Sequence, residues 1–222
     1  MINYHSIFNQ KTLNIFTDAS IKNSKDETVG APGFIAVVDE SVVYKDIRIL
    51  RDSTNNQSEI YAIYMAIQYA IKRKDEFEII NIFSDSQFAV FGLREWIFKW
   101  MNNIVDDKIY NSSGKPVANQ DIFLNIVYTI LQYDLKVNFY HNRGHFTQRQ
   151  VNKFIHLFTE HNQLGDYIDK ETAFKIIEYN NEIDLETRKV LWVNSDYPPK
   201  LEIPEYAAQK INLNYYKKLL NL

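Results

Sequence analysis

The sequence has no cysteine. That excludes disulfides, thiolate zinc sites and a cysteine nucleophile, and it suits a reducing compartment, so the expected location is cytoplasmic. Glycine and proline are scarce, six and five among 222 residues, which rules out collagen-like and low-complexity chains. No apolar run approaches the roughly 18 residues needed to span a bilayer. The opening stretch MINYHSIFNQKTLN lacks a basic start followed by a long apolar run, so no secretory signal is expected. A strong charge excess is also missing. The net charge is −3, unlike the basic excess of most nucleic-acid binders. One local absence stands out: Leu135 to Thr159 holds no acidic residue, while carrying Lys136, Arg143, Arg149, Lys153 and three histidines.

Apolar content is ample. Hydrophobic residues make up 45% and aromatic residues 14% of the chain, enough for a core and against global disorder. The length suits one domain plus an appendage, or two small domains. Alternation and β-branched content predict strands at Leu13 to Thr17, Gly33 to Val38, Val42 to Ile49, Ile79 to Phe83 and Lys136 to His141. Helical spacing of Ile60, Ile63, Tyr64, Ile67, Ala70 and Ile71 predicts a helix over Gln57 to Arg73, capped by Asn55 or Asn56. Further helices are predicted over Ser86 to Trp100 and Asp121 to Gln132, and the segment to Tyr179 reads as mainly helical.

Three strands joined by short links imply an antiparallel meander, and crossover helices imply parallel pairing of the later strands. The expected fold is therefore α/β, a mixed five-stranded sheet flanked by helices. A main domain over residues 1–179 and a C-terminal helical extension over 180–222 are expected. That extension carries the proline-marked stretch Tyr197 to Pro204 and a final helix over Ala207 to Leu220.

Two predicted strands end in matching strings. Leu13-Asn14-Ile15-Phe16-Thr17-Asp18 parallels Ile80-Asn81-Ile82-Phe83-Ser84-Asp85. If these strands pair in parallel and in register, both aspartates leave the carboxyl edge of the sheet on one face, where open α/β sheets place their sites. Like charges there repel unless a cation joins them. Hard oxygen ligands select Mg²⁺ or Mn²⁺. Either aspartate alone equally suits a turn. Glu59, in the first turn of the helix that follows the meander, can stand over the same edge, and three converging carboxylates are costly without metal.

These motifs resemble those of type 1 ribonuclease H. Thr17-Asp18-Ala19-Ser20, Thr54-Asn55-Asn56-Gln57-Ser58-Glu59 and Ser84-Asp85-Ser86-Gln87 are similar to its three acidic signatures, in order. Ala31-Pro32-Gly33, Trp96 to Trp100, Gly114 to Asp121 and Arg143-Gly144-His145 resemble further family segments. Asn162, followed four residues later by Asp166, resembles the motif of the fourth carboxylate. The similarity spans roughly residues 12 to 178.

The resemblance implies cleavage of the RNA strand of an RNA–DNA hybrid by two Mg²⁺ ions, leaving 5′-phosphate and 3′-hydroxyl ends, with Mn²⁺ as a substitute. It implies Asp18, Glu59, Asp85 and Asp166 as metal ligands, with Asp18 bridging. His145 would assist proton transfer and product departure. Thr54, Asn55, Asn56 and Gln87 would contact the hybrid, and Trp96 would line the DNA side, with a core role expected for at least one of Trp96 and Trp100.

Departures from the family pattern are also visible. Position 19 is Ala where glycine is usual. The polar stretch Asn102 to Ser113 carries Asp106 and Asp107 where some relatives have a basic protrusion. The chain between His145 and Asn162 is longer than usual, which leaves Asp169 as an alternative fourth carboxylate. The extension after Tyr179 is expected to pack on the domain, or else to dock a protein partner. A monomer is expected. Two other readings stay open: a non-catalytic nucleic-acid-binding module of the same fold, and a related nuclease acting on DNA.

Overall fold

The computed structural model describes residues 7–23, 27–193, 208 and 211–221. Its centre is a mixed sheet in the order β3-β2-β1-β5-β8. Strand β1 (Thr12–Asn23), β2 (Thr28–Val38) and β3 (Ser41–Ile47) form the antiparallel meander. The two-residue β4 (Leu50–Arg51) also pairs with β2, which makes six strands rather than the five expected. Strands β5 (Ile79–Ser84) and β8 (Val137–His141) add in parallel. A separate two-stranded ribbon, β6 (Ile104–Val105) and β7 (Lys108–Ile109), occupies the polar stretch.

The register is the one that the repeated strings require. Asn14 pairs with Asn81, Phe16 with Phe83, and Thr17 with Ser84. Successive side chains of a strand point to opposite faces, so the two strings sort into layers. Leu13 and Ile15, with Ile80 and Ile82, face the larger core beneath helix α1 (Asn55–Lys72) and helix α4 (Gln120–Gln132). Phe16 and Phe83 face the other way and stack with centroids 4.6 Å apart. On the same face as these rings, Asn81 donates to Asn14 at 2.9 Å and Asn138 donates to Asn81 at 2.9 Å. The buried amides thereby pair with one another across three strands.

The second face of the sheet is covered by helix α5 (Val151–His161) and helix α6 (Lys170–Val193). Helix α6 buries Ala173, Ile176, Ile177, Asn180, Ile183, Thr187 and Leu191. These positions recur every three to four residues, one continuous stripe of a 3.6-residue helix. The stripe runs straight through residue 179, so the boundary expected there falls inside a helix. The reason is the aromatic face of β1 and β5, which needs cover along its whole length.

The helix expected over Ser86 to Trp100 is interrupted. Helix α2 (Gln87–Phe91) passes into a π-helical turn (Gly92–Trp96) and then into α3 (Ile97–Trp100). A β-carbon at Gly92 would stand 2.3 Å from the Phe123 ring, so close packing there depends on glycine. Helix α7 (Leu213–Leu219) returns to the main core through Tyr216, Leu219 and Leu220. The described residues of this helix therefore pack on the domain, while the stretch 197–204 lies outside the described residues. Among the described residues no helix is long and apolar enough to cross a membrane.

Candidate active site

Asp18 lies near the carboxyl edge on β1 and Asp85 just past the end of β5. They follow the paired residues Thr17 and Ser84. Glu59 comes from the first turns of α1. The helix is capped by the Thr54 side chain, which accepts from the Gln57 amide at 3.2 Å, so the cap is Thr54 rather than Asn55 or Asn56. Oxygens of Asp18, Glu59 and Asp85 lie within 4.8 Å of one another. Asp18 and Glu59 are each 6% exposed.

This proximity perturbs all three acids. Burial first, and then the neighbouring Asp85 charge, pushes Asp18 up to about 7, against the opposing effect of the Thr187 hydroxyl. Burial, then Asp18, Asp85 and Asp184, raises Glu59 well above the usual carboxylate range. Burial and Asp184 push Asp85 up to about 6, while its own amide and Arg188 oppose the rise. Glu59 Oε2 is buried and has no hydrogen-bond partner among the described residues. A buried lone pair left without a donor is costly, and a hard cation is what a set of carboxylate oxygens suits. The residues fit a divalent ion.

A cavity of about 430 Å³ opens over the cluster, and its walls include Asp18, Glu59, Asp85, His145, Asp184 and Arg188. The fourth acid here is Asp184. It is delivered by the buried stripe of α6, where Thr187 places its hydroxyl 2.9 Å from Asp18 Oδ2 and 3.0 Å from the Asp184 carbonyl. Arg188 pairs with Asp184 at 2.8 Å.

Asp166 does not reach the cluster. It is exposed, and its carboxylate accepts from the Tyr167 amide at 2.9 Å. Asp169 accepts from the Thr172 amide at 2.8 Å at the start of α6. It precedes Asp184 by fifteen residues, about 22 Å along the helix at ~1.5 Å per residue, too far for both to serve one site. The sequence signal for Asp184 was available. Asn180 stands four residues before it, the same spacing as Asn162 and Asp166, and it continues the apolar stripe of α6.

His145 stands on the cavity wall, exposed, with φ +62. Its loop is tied to α6 by Asn142 donating to Asn180 and by Asn181 donating to the Phe146 carbonyl at 3.1 Å. The helix that carries Asp184 thus also holds the histidine loop. A β-carbon at Gly144 would stand 2.3 Å from Asp85 Oδ2, so glycine is what lets the loop lie over that carboxylate. Thr54, Asn55, Asn56 and Gln87 are exposed at the starts of α1 and α2. Trp96 is half-buried against Phe88 and Phe91, while Trp100 belongs to the core.

Behind Asp85, His141 at the end of β8 is 5% exposed. Burial first and then His161 push its imidazole down to about 4, so the ring is neutral at physiological pH.

The fold and the cluster define a class: a mixed α/β sheet with buried acids gathered at the carboxyl edge of its parallel strands, suited to hard cations. A ribonuclease H family model matches residues 10–166. Ribonuclease H of Haemophilus influenzae strain 86-028NP is 33% identical over 145 residues, covering 64% of this chain and 83% of that protein. Ribonuclease HI of Haemophilus influenzae strain Rd is 33% identical over 141 residues, covering 63% and 82%.

Among solved structures, the solution structure of the PFV RNase H domain has a TM-score of 0.52 at 19% identity, covering 77% of this chain and 94% of that one. The foamy viral protease-reverse transcriptase in complex with RNA/DNA hybrid has a TM-score of 0.51 at 18% identity, covering 69% of this chain and 20% of that one. These two support the fold. The chain belongs to the ribonuclease H family, and it is a ribonuclease H hydrolase.

Proposed function

We propose that this chain is an endonuclease that hydrolyses the RNA strand of RNA–DNA hybrids with two divalent cations. The observation that carries the reading is the convergence of Asp18, Glu59 and Asp85 with one buried Glu59 oxygen unpartnered. Asp18, Glu59 and Asp85 would hold one Mg²⁺ or Mn²⁺, and Asp18 and Asp184 the other. Bound cations would supply charge neutralisation at the phosphate and a lowered pKa for the attacking water.

The chain's own residues do the rest. The buried stripe of α6 places Asp184 beside the sheet-edge acids. Thr187 orients Asp18 by donating to it. His145, on the open side of the cavity, is positioned to carry protons to and from the reacting phosphate. Water adds to phosphorus, and the bond to the 3′-oxygen breaks. The products are a 5′-phosphate and, once the leaving oxygen takes a proton, a 3′-hydroxyl.

The amides of Asn55, Asn56 and Gln87 can both donate and accept, as a 2′-hydroxyl requires. That group is what separates RNA from DNA. Thr54 and the first turn of α1 offer amide donors to a DNA phosphate. Trp96 presents the partly open ring expected to line the DNA side. The working form is taken to be a cytoplasmic monomer. The solved relative bound to RNA/DNA hybrid accords with the substrate.

The test is incubation with Mg²⁺ or Mn²⁺ and end-labelled hybrid, duplex RNA, duplex DNA and single strands. Cleavage confined to the RNA of the hybrid, and lost in D18N, is expected. Hybrid binding without cleavage, or cutting of duplex DNA, would contradict the reading.

A further inference from the structure

Two buried or half-buried histidines and an asparagine stand behind the acidic cluster with no part in the chemistry above. His141 closes β8 directly opposite Ser84, one residue before Asp85. Its Nε2 lies 3.2 Å from the Asp85 carbonyl oxygen, which can only accept. Nε2 therefore carries the proton. A neutral ring has one proton, so Nδ1 is bare.

That bare nitrogen faces His161 Nδ1 at 3.0 Å. The ring centroids are 5.1 Å apart at an interplanar angle of 15°. This separation falls only slightly short of the N···N distance plus two ring radii, the most the contact allows. The rings therefore meet edge to edge in nearly one plane, which is hydrogen-bond geometry and not face-to-face stacking. His161 Nδ1–H donates, and His141 accepts.

The backbone of His141 is gripped too. Asn162 accepts from the His141 amide at 2.7 Å and donates to its carbonyl at 2.9 Å, like a strand added at the sheet edge. Arg94 holds this amide from the far side, at 3.0 Å to Asn162 Oδ1 and 2.8 Å to the His161 carbonyl. Asn162, whose spacing to Asp166 suggested a carboxylate motif, is thus committed to His141.

We propose that His141 is a positioning residue for Asp85, and that His161 fixes the tautomer in which it acts. The inference rests on the reading of Asp85 as a metal ligand. The carboxylate of Asp85 leaves the chain just past the strand end, so its direction follows the main chain there. The imidazole holds that main chain on one side, and the missing β-carbon of Gly144 leaves room for the carboxylate on the other. Hydrogen bonds that orient a ligand without touching the metal commonly govern affinity about 10–100-fold.

The experiment titrates Mn²⁺ into the full chain by electron paramagnetic resonance, without substrate. Thermal melting, kcat and KM for hybrid cleavage are measured on the same samples. The variants are His141→Phe, His141→Gln and His161→Leu. Phe keeps the aromatic volume against Phe91 but cannot donate. Gln loses the ring but carries an amide N–H near the position of Nε2.

Positioning predicts that H141F weakens Mn²⁺ binding about tenfold and lowers kcat with little change in KM. H141Q recovers most of both. H161L, at a half-buried position, shifts Mn²⁺ affinity in the same direction by less, and it decides the matter if H141F does not fold. A packing role predicts the opposite order, with Phe tolerated, Gln melting early and Mn²⁺ affinity unchanged, and that result overturns the proposal. A wild-type chain that takes up no Mn²⁺ overturns the proposed active site itself, a separate failure.

Discussion

Substituting Asp18 by Asn in the metal-free protein should stabilise it, and by an amount that grows with pH. Asn keeps the shape and can still accept from Thr187, but it removes the charge. Asp18 sits near 7 in the folded chain and near 3.9 unfolded. A raised carboxylate leaves stability intact below the unfolded value and loses it as pH rises through the folded one. With about three pH units between the two, and 1.36 kcal/mol per unit, the wild type carries a penalty of about 4 kcal/mol by pH 7.5 that D18N escapes. At pH 4 the folded chain is protonated at Asp18 and the unfolded chain about half so, and the difference is under ~1 kcal/mol. His141, pushed down to about 4, works in the opposite direction over part of this range, gaining stability as pH rises. It is present in both proteins and cancels in the comparison. The assay is thermal or urea denaturation of chelator-treated wild type and D18N from pH 4 to 8. For a chain of this length, ~4 kcal/mol corresponds to roughly 8–16 °C in Tm. A D18N variant that melts no higher than wild type at pH 7.5, or a difference that does not widen with pH, refutes the argument that burial and mutual repulsion strain this cluster.

Adding Mn²⁺ or Mg²⁺ at pH 7.5 should offset much of the penalty. At 100 times the dissociation constant, the folded state gains about 2.7 kcal/mol, and melting of D18N should show little of that gain. Replacing the fourth acid should separate the two candidates: D184N lowers hybrid cleavage by at least about tenfold, while D166N stays close to wild type. Equal loss in both, or loss in D166N alone, would return the role to Asp166. G144A should impair metal uptake while the chain still folds, because the new methyl meets Asp85 Oδ2. Overpacking of this kind costs typically 1–3 kcal/mol, and a variant with unchanged Mn²⁺ affinity would contradict that contact.

The sheet was readable because its signals are local. The twin strings ending in Asp18 and Asp85 encode layer, register and edge together, since a one-residue slip would send Phe16 and Phe83 to opposite faces. Glu59 was readable from its place in the first turns of an amphipathic helix. The fourth acid was not, because two Asn-to-Asp spacings of four residues compete, and only long-range packing decides between them. Asp166 and Asp169 satisfy local amides, whereas Asp184 is placed by the match of a stripe on α6 to the aromatic face of the sheet. The same packing explains why the expected boundary at 179 fell within α6. The His141–His161 contact was hidden for a related reason. It joins the end of β8 to the end of α5, and neither position carries a periodic signal. The π-helical turn reflects the fit of Gly92 against Phe123, which no spacing rule reports.

The most direct check is a crystal of the protein soaked in Mn²⁺, with anomalous scattering used to locate the ions. Peaks touching oxygens of Asp18, Glu59 and Asp85, with Asp184 as ligand to a second, are predicted. Ions absent from this edge of the sheet, or bound instead at Asp166, would contradict the account.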